Sequence, residues 1–366
     1  MTLAVNLAQG ASNNVTFRNK LINGAMVIDQ RNAGASLAIT TNAQYSVDRF
    51  AGSVYSSGTG RYSLQQSTTV PAGFTNSLKM TVTTADASPT ADYGYALQQS
   101  IEGLNCTDLN WGSANASTVT LSFWVYSSVT GNLPVVLLNS GFTRYYATTY
   151  SVASANTWTK ISLTIVGDTS GTWLTTNGGG IYINFGFGAG SNRTASTANA
   201  WSTSAYGGNL TSVTGATSVI ATNGATWYVT GVQLEAGSVA TAFEQRPYGT
   251  ELALCQRYFQ KYKNLNDTYQ TSITQGTVYN SSTIYAVIAH QVNMRTVPTL
   301  KYTAASDFAN YTNSTSYTAS AITLGQEIGT MSSEVSMTVT SAPAGYSVFV
   351  RALAGSTKFL AFDAEL

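Results

Sequence analysis

Charged residues are scarce in this sequence. Only 9% of its 366 residues are charged, and 17 basic and 16 acidic side chains give a formal net charge of +1. No basic run is present, so the chain has little attraction for phosphate groups, and we expect no nucleic acid among its partners. Long apolar runs are also missing, because no stretch approaches the roughly 20 residues of a membrane-spanning helix. We therefore expect no membrane insertion.

Cysteine and histidine are equally rare. Cys106 and Cys255 belong to no CxxC or metal-binding pattern, which predicts two buried thiols that act as small apolar side chains. The single histidine, His290, ends a strand-like run, and neither a GxSxG nor an HExxH motif occurs. These absences argue against a serine hydrolase and a metalloenzyme, so we expect no cofactor. A structural calcium ion held by loop Asp and Asn side chains and backbone carbonyls stays open as an alternative.

Acidic residues are too sparse to mark a glycosidase. Such an enzyme needs two carboxylates roughly 5 to 10 Å apart. The nearest clusters in the sequence, Asp86 with Asp92 and Glu102 with Asp108, lie in turn-like segments where Asp commonly bends the chain. We therefore predict no catalytic residues and no enzymatic activity. The alternative is an enzyme that gathers its acids from separate strands or subunits.

The sequence does contain many short alternating apolar runs, separated by Gly, Asn, Ser and Thr. Val119 to Val125 places an apolar residue at every second position, and Ile181 to Phe187 repeats the pattern. Opposite the second run lie Gly186 and Gly188, which leave room for a close approach by another group. Such strands, spaced by turn residues, predict an all-β chain built of antiparallel sandwiches.

The segment from Trp227 to Lys263 is where this pattern changes. Trp227 to Leu234 is apolar on both faces, which predicts a strand buried on both sides. After Pro247, strong helix formers predict a helix over Glu251 to Lys263, with Thr250 as its N-cap. The apolar stripe of this helix consists of Leu252, Cys255, Phe259 and Tyr262. We interpret it as a connector between two β domains.

The same segment carries the pattern VQLE-x-G-x-x-AT-x-FE-x-RP-x-G from Val232 to Gly249, followed by ELALCQRY. Two further patterns are NGAM-x-x-x-QR from Asn23 to Arg31, followed by the DRF of residues 48–50, and LSFWVYSS from Leu121 to Ser128. Over residues 19–263 the chain thereby resembles bacteriophage tail-fibre and receptor-binding proteins that contain a jelly-roll domain similar to carbohydrate-binding modules. Fibres of that family are commonly three-fold, so the resemblance implies a homotrimer.

The resemblance also implies a domain order. Residues 1–18 would form an N-terminal arm that attaches to other virion proteins, residues 19–248 an antiparallel jelly-roll sandwich, residues 249–265 the helical connector, and residues 266–366 a smaller distal β-sandwich at the receptor-binding tip. Met1 to Gly10 lacks a secretory signal pattern, so we expect synthesis in a host cytoplasm and a final place in the virion. The expected function is attachment to a host surface glycan. A capsid decoration or head fibre and a capsule depolymerase are the alternatives.

Aromatic residues supply the candidate ligand contacts, because saccharides present apolar CH faces to rings and hydroxyl edges to amides and hydroxyls. The chain has 22 Tyr and 6 Trp residues. We predict that Trp158, Trp173 and Trp227 belong to the core. The candidates for ligand contact are Trp111, Trp124, Tyr126, Tyr145, Tyr146, Tyr302, Tyr311 and Tyr317.

The distal domain is the expected place of binding, because it would lie farthest from the attachment arm. Its tyrosines stand among Thr, Ser and Asn, a combination suited to polar recognition. The rival place is the jelly roll, either at Trp124 and Tyr126 or at residues 189–225, a long connection of the kind that often carries function.

Overall fold

The computed structural model describes residues 17–263, 267–312, 315–355 and 357–366, and strands dominate these residues. The all-β fold predicted from the sequence is confirmed. The chain forms two compact units, Met1–Glu251 with Leu366, and Leu252–Glu365. No helix in the described part of the chain is long and apolar enough to cross a membrane. Of the predicted attachment arm, only Phe17 and Arg18 lie within the described residues.

The first unit is an antiparallel jelly-roll sandwich. Its strands are β1 (Leu37–Ile39), β2 (Gln44–Tyr45), β3 (Ala51–Tyr55), β4 (Arg61–Ser67), β5 (Ser77–Thr84), β6 (Gly94–Glu102), β7 (Val119–Ser127), β8 (Gly131–Asn139), β9 (Arg144–Val152), β10 (Thr159–Ile165), β11 (Gly179–Ala189), β12 (Thr194–Ala195), β13 (Trp201–Thr203), β14 (Ser212–Val213) and β15 (Thr226–Ala236). Sheet A has the order β1-β4-β5-β15-β7-β10, and sheet B the order β13-β9-β8-β11-β6-β3-β2. Strands β12 and β14 form a short parallel pair.

The core of the first unit lies between sheets A and B. The alternation predicted for β7 and β11 is confirmed, because their apolar positions are buried and meet across the sandwich, as in the edge-to-face contact of Phe123 and Phe185 at 5.1 Å. Strand β15 is buried along nearly its whole length, and Trp227 is fully buried, as predicted. Trp173 is half-buried and packs against this core. The core prediction is wrong for Trp158, which is half-buried next to an exposed turn and does not pack against the core cluster.

The long connection between β11 and β15 covers the outer face of sheet B. A Cβ at Gly186 would lie 1.7 Å from the carbonyl oxygen of Thr211, so only glycine permits this approach. Leu210 and Val213 pack with Val136 and Leu138 into a small separate apolar cluster. The group that approaches the glycine face of β11 is therefore the chain itself.

The helix α1 (Tyr248–Gln256) is shorter than predicted and begins earlier. It starts directly after Pro247, whose carbonyl accepts the backbone N–H of Glu251 at 3.0 Å. Thr250 therefore lies inside the helix, and its prediction as N-cap is wrong. The predicted continuation to Lys263 is also wrong, because residues from Phe259 onward form strand β16, which pairs with the last strand of the chain. Long-range strand pairing here overrides the local helix preference.

The second unit is also built of antiparallel strands. They are β16 (Phe259–Lys263), β17 (Thr271–Asn280), β18 (Thr283–Ala289), β19 (Thr299–Tyr302), β20 (Phe308–Tyr311), β21 (Ser316–Thr318), β22 (Ala321–Ile328), β23 (Ser332–Thr338), β24 (Ser347–Ala352) and β25 (Phe359–Asp363). One sheet has the order β16-β25-β19, and the other β21-β20-β24-β17-β18-β23-β22. The sequence pattern predicts strands here over Tyr269 to Gln275, Thr283 to His290, Val292 to Met294, Thr299 to Thr303, Glu334 to Thr340, Tyr346 to Ala352 and Lys358 to Phe362. Strands β20 to β22 lie outside these ranges, and no strand forms at Val292 to Met294. The sequence predicts that Val335 and Met337 of β23 face inward, and they are buried. It also predicts one half-buried face from Tyr346, Val348 and Val350. The two valines are buried, but Tyr346 is 57% exposed because it precedes β24, which begins at Ser347.

Candidate functional site

Residues 19–24 at the start of the first unit pack against β15. Asn19 donates to the carbonyl oxygen of Val232 at 3.0 Å, and its Oδ1 accepts the backbone N–H of Leu234 at 3.0 Å. Gly24 lies so close that a Cβ there would be 2.1 Å from the Val232 carbonyl oxygen. Asn19 and Gly24 therefore allow the backbone to pack closely against β15.

The polar residues of the VQLE pattern form a network on the same side of β15. Glu235 accepts the Thr241 hydroxyl at 2.6 Å and the Gln233 amide at 2.8 Å. Glu244 accepts the backbone N–H of Asn19 at 2.9 Å and pairs with Arg246 at 3.2 Å. These side chains bond to each other and to the backbone, so Gln233, Glu235, Glu244 and Arg246 have a structural role.

The polar residues of the NGAM-x-x-x-QR and DRF patterns form a buried cluster. The side chain of Asn23 donates to the carbonyl oxygens of Ile28 at 2.8 Å and Asp48 at 2.9 Å. The Asp48 carboxylate accepts the Gln30 amide at 2.7 Å and lies 3.6 Å from Arg31. This cluster has a structural role.

The acidic clusters considered for catalysis have structural partners. Asp86 accepts the Tyr95 hydroxyl at 2.6 Å, and burial together with this carboxylate raises the pKa of Tyr95. Asp108 pairs with Lys20 at 2.7 Å, and Asp92 accepts the Asn192 amide at 2.8 Å. Within the described residues no group of three or more His, Cys, Asp or Glu side chains is placed to hold a metal ion. Both cysteines are buried, as predicted, and burial raises the pKa of Cys106 to about 12.

A groove on the outer face of sheet A brings aromatic and polar side chains together. We call it the sheet A groove; its volume is about 280 Å³, and it is lined by Gly73, Phe74, Ser122, Trp124, Lys160, Gly231, Thr241, Ala242, Phe243 and Gln245. Trp124 is half-buried in β7, and Lys160 of β10 is its cross-strand partner. Phe74 and Phe243 meet edge to face at 5.2 Å. Half-exposed rings and hydrogen-bonding groups thus share one surface.

Gly231 creates the space in which these rings meet. The pairing of β15 with β7 shifts register between Thr230 and Gln233, and Gly231 lies within this bulge with φ of +63°. A Cβ on Gly231 would lie 2.6 Å from the ζ carbon of Phe74 and 3.3 Å from the δ1 carbon of Trp124. The bulge therefore lets both rings approach the strand.

An aromatic strip continues from the sheet A groove along β7. Tyr126 lies two residues from Trp124 on the same face and contacts Trp158 at 5.5 Å and Tyr228 at 5.1 Å between ring centroids. The Lys79 ammonium lies 5.7 Å from the Tyr228 centroid. Both sheet A candidates from the sequence, Trp124 and Tyr126, thus lie on one surface.

The structure places the remaining first-unit candidates elsewhere. Trp111 packs edge to face with Trp173 at 4.7 Å and with Trp201 at 5.2 Å, and Tyr146 contacts Trp201 at 5.4 Å. The Trp111 indole N–H donates to the Ser117 carbonyl at 2.8 Å. Tyr145 is buried beneath the β11 to β15 connection and borders a groove of about 480 Å³. None of these three candidates lines the sheet A groove.

The second unit has a groove of its own, which we call the Arg351 groove. It has a volume of about 490 Å³ and is lined by Gln275, Tyr311, Thr312, Tyr346, Ser347, Val348, Phe349 and Arg351. Of the candidates in this unit, Tyr311 lines the groove, whereas Tyr302 and Tyr317 pack against the apolar core. Tyr346 is 57% exposed and Phe349 45% exposed, so two ring faces are open to solvent.

Sequence reasoning missed several residues of both grooves. Phe74, Phe243 and Gly231 carry no local signal that links them to Trp124, since they come from separate loops and a bulge. Phe349 and Arg351 do carry a signal, because they alternate with the buried Val348 and Val350 and must therefore face outward.

No family model matches the chain, and no curated protein matches it. Among solved structures, the enzymatically active domain of tailspike protein 4 of bacteriophage CBA120 is similar at 12% identity and a TM-score of 0.30, covering 60% of this chain and 22% of that chain.

Carbohydrate-binding modules are also similar to this chain. A structure described as "CBM4 structure and function" has 16% identity and a TM-score of 0.28, and covers 59% of this chain and 98% of its own. The family 11 carbohydrate-binding module of a Clostridium thermocellum cellulosomal cellulase has 11% identity and a TM-score of 0.29. The match covers 56% of this chain and 96% of the module. At these scores the fold assignment rests on the strand order described above.

Proposed function

We propose that this protein binds a polysaccharide through the sheet A groove, and that it is a virion fibre or receptor-binding protein that attaches to a host surface glycan. The observation that supports binding is the position of Trp124, whose half-exposed indole lies with Phe74 and Phe243 in one groove. Sugar rings stack their CH faces on aromatic rings, and hydroxyls bond to nearby amides and hydroxyls. Gln245 lines the same groove and is a suitable hydrogen-bonding residue.

The size of the groove favours a short part of a longer chain. About 280 Å³ lies near the lower end of the range for small-molecule sites, roughly 300 to 1,000 Å³. The aromatic strip of Tyr126, Trp158 and Tyr228 extends the apolar surface beside it, so further sugar units have rings to contact. We expect weak binding at one site and stronger attachment from several sites on a homotrimer.

The virion part of the proposal derives from the sequence patterns in residues 19–263. Those residues pack the start of the first unit against β15. They therefore support a domain fold like that of the phage fibre proteins that the sequence resembles, and they do not specify a ligand. We expect no enzymatic activity, because the candidate carboxylates are bonded within the fold. A reducing-sugar assay on capsule polysaccharide checks this point.

Affinity electrophoresis of the full chain in gels containing neutral host polysaccharides tests the binding proposal. Trp124→Ala should weaken retardation by at least about tenfold in Kd, whereas Trp124→Phe should keep part of the binding. Trp173→Ala is the matched control, because it removes a half-buried indole that does not line the sheet A groove. Circular dichroism must show that each variant is folded. Equal retardation of the wild type and Trp124→Ala would contradict the proposal.

A further inference from the structure

We infer that the Arg351 groove of the second unit binds a saccharide that bears a carboxylate, such as a uronic acid. This inference rests on the proposed glycan-binding function, but it assigns a separate site and a different ligand chemistry. The sheet A groove and the Arg351 groove share no residue. Each can therefore be tested without disturbing the other.

The strand pairing fixes Arg351 in the groove. Strand β24 lies between β20 and β17, and Arg351 is opposite Ala309 on one side and Ser272 on the other. The neighbouring positions Val350 and Ala352 are fully buried, so the pleat turns Arg351 to the opposite face. The guanidinium is consequently held by a central strand of the sheet and not by a loop.

Two aromatic rings hold the guanidinium in place. Its carbon lies 4.7 Å from the Tyr311 ring centroid and 5.6 Å from the Phe349 ring centroid. Gln270 donates to the Tyr311 hydroxyl at 2.7 Å, which fixes the first of these rings. Stacking on aromatic rings orients an arginine while leaving its N–H groups available for a planar acceptor.

The side chain of Arg351 has no acceptor among the residues that the structure describes. It forms neither an ion pair nor a hydrogen bond with them, and its Nε is buried without a partner. Arg144, in contrast, donates twice to Asp168, at 2.8 and 2.6 Å. A guanidinium carries five N–H donors, and a buried unpaired donor is costly. A ligand acceptor at this position would satisfy donors that the protein leaves unpaired.

The other lining residues indicate the class of ligand. Arg351 is the only charged side chain among them, which suits a monoanion better than a phosphate dianion. Guanidinium and carboxylate form paired, coplanar hydrogen bonds. Tyr346 and Phe349 offer open ring faces for a sugar, and Gln275, Thr312 and Ser347 offer hydrogen bonds to hydroxyls. A carboxylated sugar matches all three features.

Isothermal titration of the full chain with tetragalacturonate tests the inference. The wild type should bind, Arg351→Ala should lose at least about tenfold in affinity, and Arg351→Lys should fall between them because it keeps the charge without the paired geometry. Lys358→Ala, which removes a positive charge outside the groove in the same unit, should bind as the wild type does. The melting temperature of each variant confirms folding.

Chemically altered probes identify the group that is recognised. The fully methyl-esterified tetragalacturonate keeps the sugar but loses the charge, and it should bind at least about tenfold more weakly. Preference for an oligosaccharide that carries sulfate groups but no carboxylate would overturn the assignment to a carboxylate. Failure of the wild type to bind tetragalacturonate, or equal binding by Arg351→Ala, would overturn the inference as a whole. Neutral polysaccharide binding that is lost in Trp124→Ala would then still support the proposed function.

Discussion

The indole N–H of Trp227 donates a hydrogen bond to the hydroxyl of Tyr150 at 3.0 Å in the core of the first unit. Both side chains are buried, and burial raises the pKa of Tyr150. The bond joins β15 of sheet A to β9 of sheet B. It allows the largest side chain in the core to be buried without leaving its only polar atom unpaired.

Substituting either partner of the hydrogen bond between Trp227 and Tyr150 should lower the free energy of unfolding. Tyr150→Phe leaves a buried indole N–H unpaired and should cost about 1–3 kcal/mol of unfolding free energy. Trp227→Phe should cost more, because it also leaves a cavity. Urea unfolding of both single variants and the double variant gives the coupling energy, which we expect near 1 kcal/mol. Strictly additive losses would show that the bond contributes nothing.

Gly231→Ala tests how the sheet A groove is built. An alanine with positive φ costs about 1–2 kcal/mol, and here its Cβ would also displace Phe74 and Trp124. We expect reduced stability and at least tenfold weaker binding of the polysaccharide that the wild type binds. Gly207→Ala is the matched control, since φ is +64° there and no atom lies within 4 Å of an added Cβ. Wild-type binding by Gly231→Ala would show that the ring positions do not matter.

The Arg144 and Asp168 pair anchors the turn that carries Trp173. Asp168 is almost fully buried, and hydrogen bonding to it raises the pKa of Arg144. Arg144→Met should destabilise the first unit by about 3–5 kcal/mol, because it leaves a buried carboxylate unpaired. The double variant with Asp168→Asn should lose less. Thermal unfolding measures both, and a double variant that is less stable than Arg144→Met would contradict this explanation.

Light scattering tests the predicted homotrimer. Val239, Tyr269, Tyr279 and Met331 are large apolar side chains with 67% to 75% of their surface exposed, and subunit contacts in the predicted trimer would cover apolar surface of this kind. A mass of three times 38.6 kDa is expected at micromolar concentration. A stable mass of 38.6 kDa over this range would rule the trimer out.

Strands with strict alternation could be predicted from the sequence, and elements that depend on distant pairing could not. The inward face of β7 follows from local periodicity alone. Strand β16, in contrast, forms because Phe259 pairs opposite Asp363 near the end of the chain, while its own residues favour a helix. No local pattern contains that information.

In the candidate sites too, residues positioned by local alternation could be predicted, and residues positioned by distant contacts could not. Trp124 was identifiable because alternation turned it away from the core. Phe74 and Phe243 were not, since they reach the groove from loops that only the folded chain brings together. For Arg351, the alternation along β24 predicts that the side chain faces away from the core. Its contacts with Tyr311 and Phe349 could not be predicted, because they depend on the pairing of β24 with β20, a strand that the sequence pattern does not predict.

His290 should make the stability of the second unit sensitive to mild acid. Its ring packs edge to face on Phe362 at 4.7 Å, and its Nε2 lies 3.1 Å from the Ser333 hydroxyl. Burial disfavours the imidazolium and lowers the pKa of His290 below its ordinary value of 6.5. The unfolded state therefore binds a proton more readily than the folded state. The contribution of His290 to stability is fully present above pH 6.5 and is lost as the pH falls through the lower folded pKa.

The chain has one histidine, so its titration can be followed without overlap. An NMR pH titration of the imidazole should give a folded-state pKa below 6.5. His290→Gln cannot take up this proton, so its melting temperature should fall less than that of the wild type between pH 7 and pH 5. The variant keeps the carboxylates of the wild type, and the difference between the two proteins therefore isolates the histidine. A measured pKa of 6.5 or above, or parallel melting curves for the two proteins, would show that burial of the ring has no such effect.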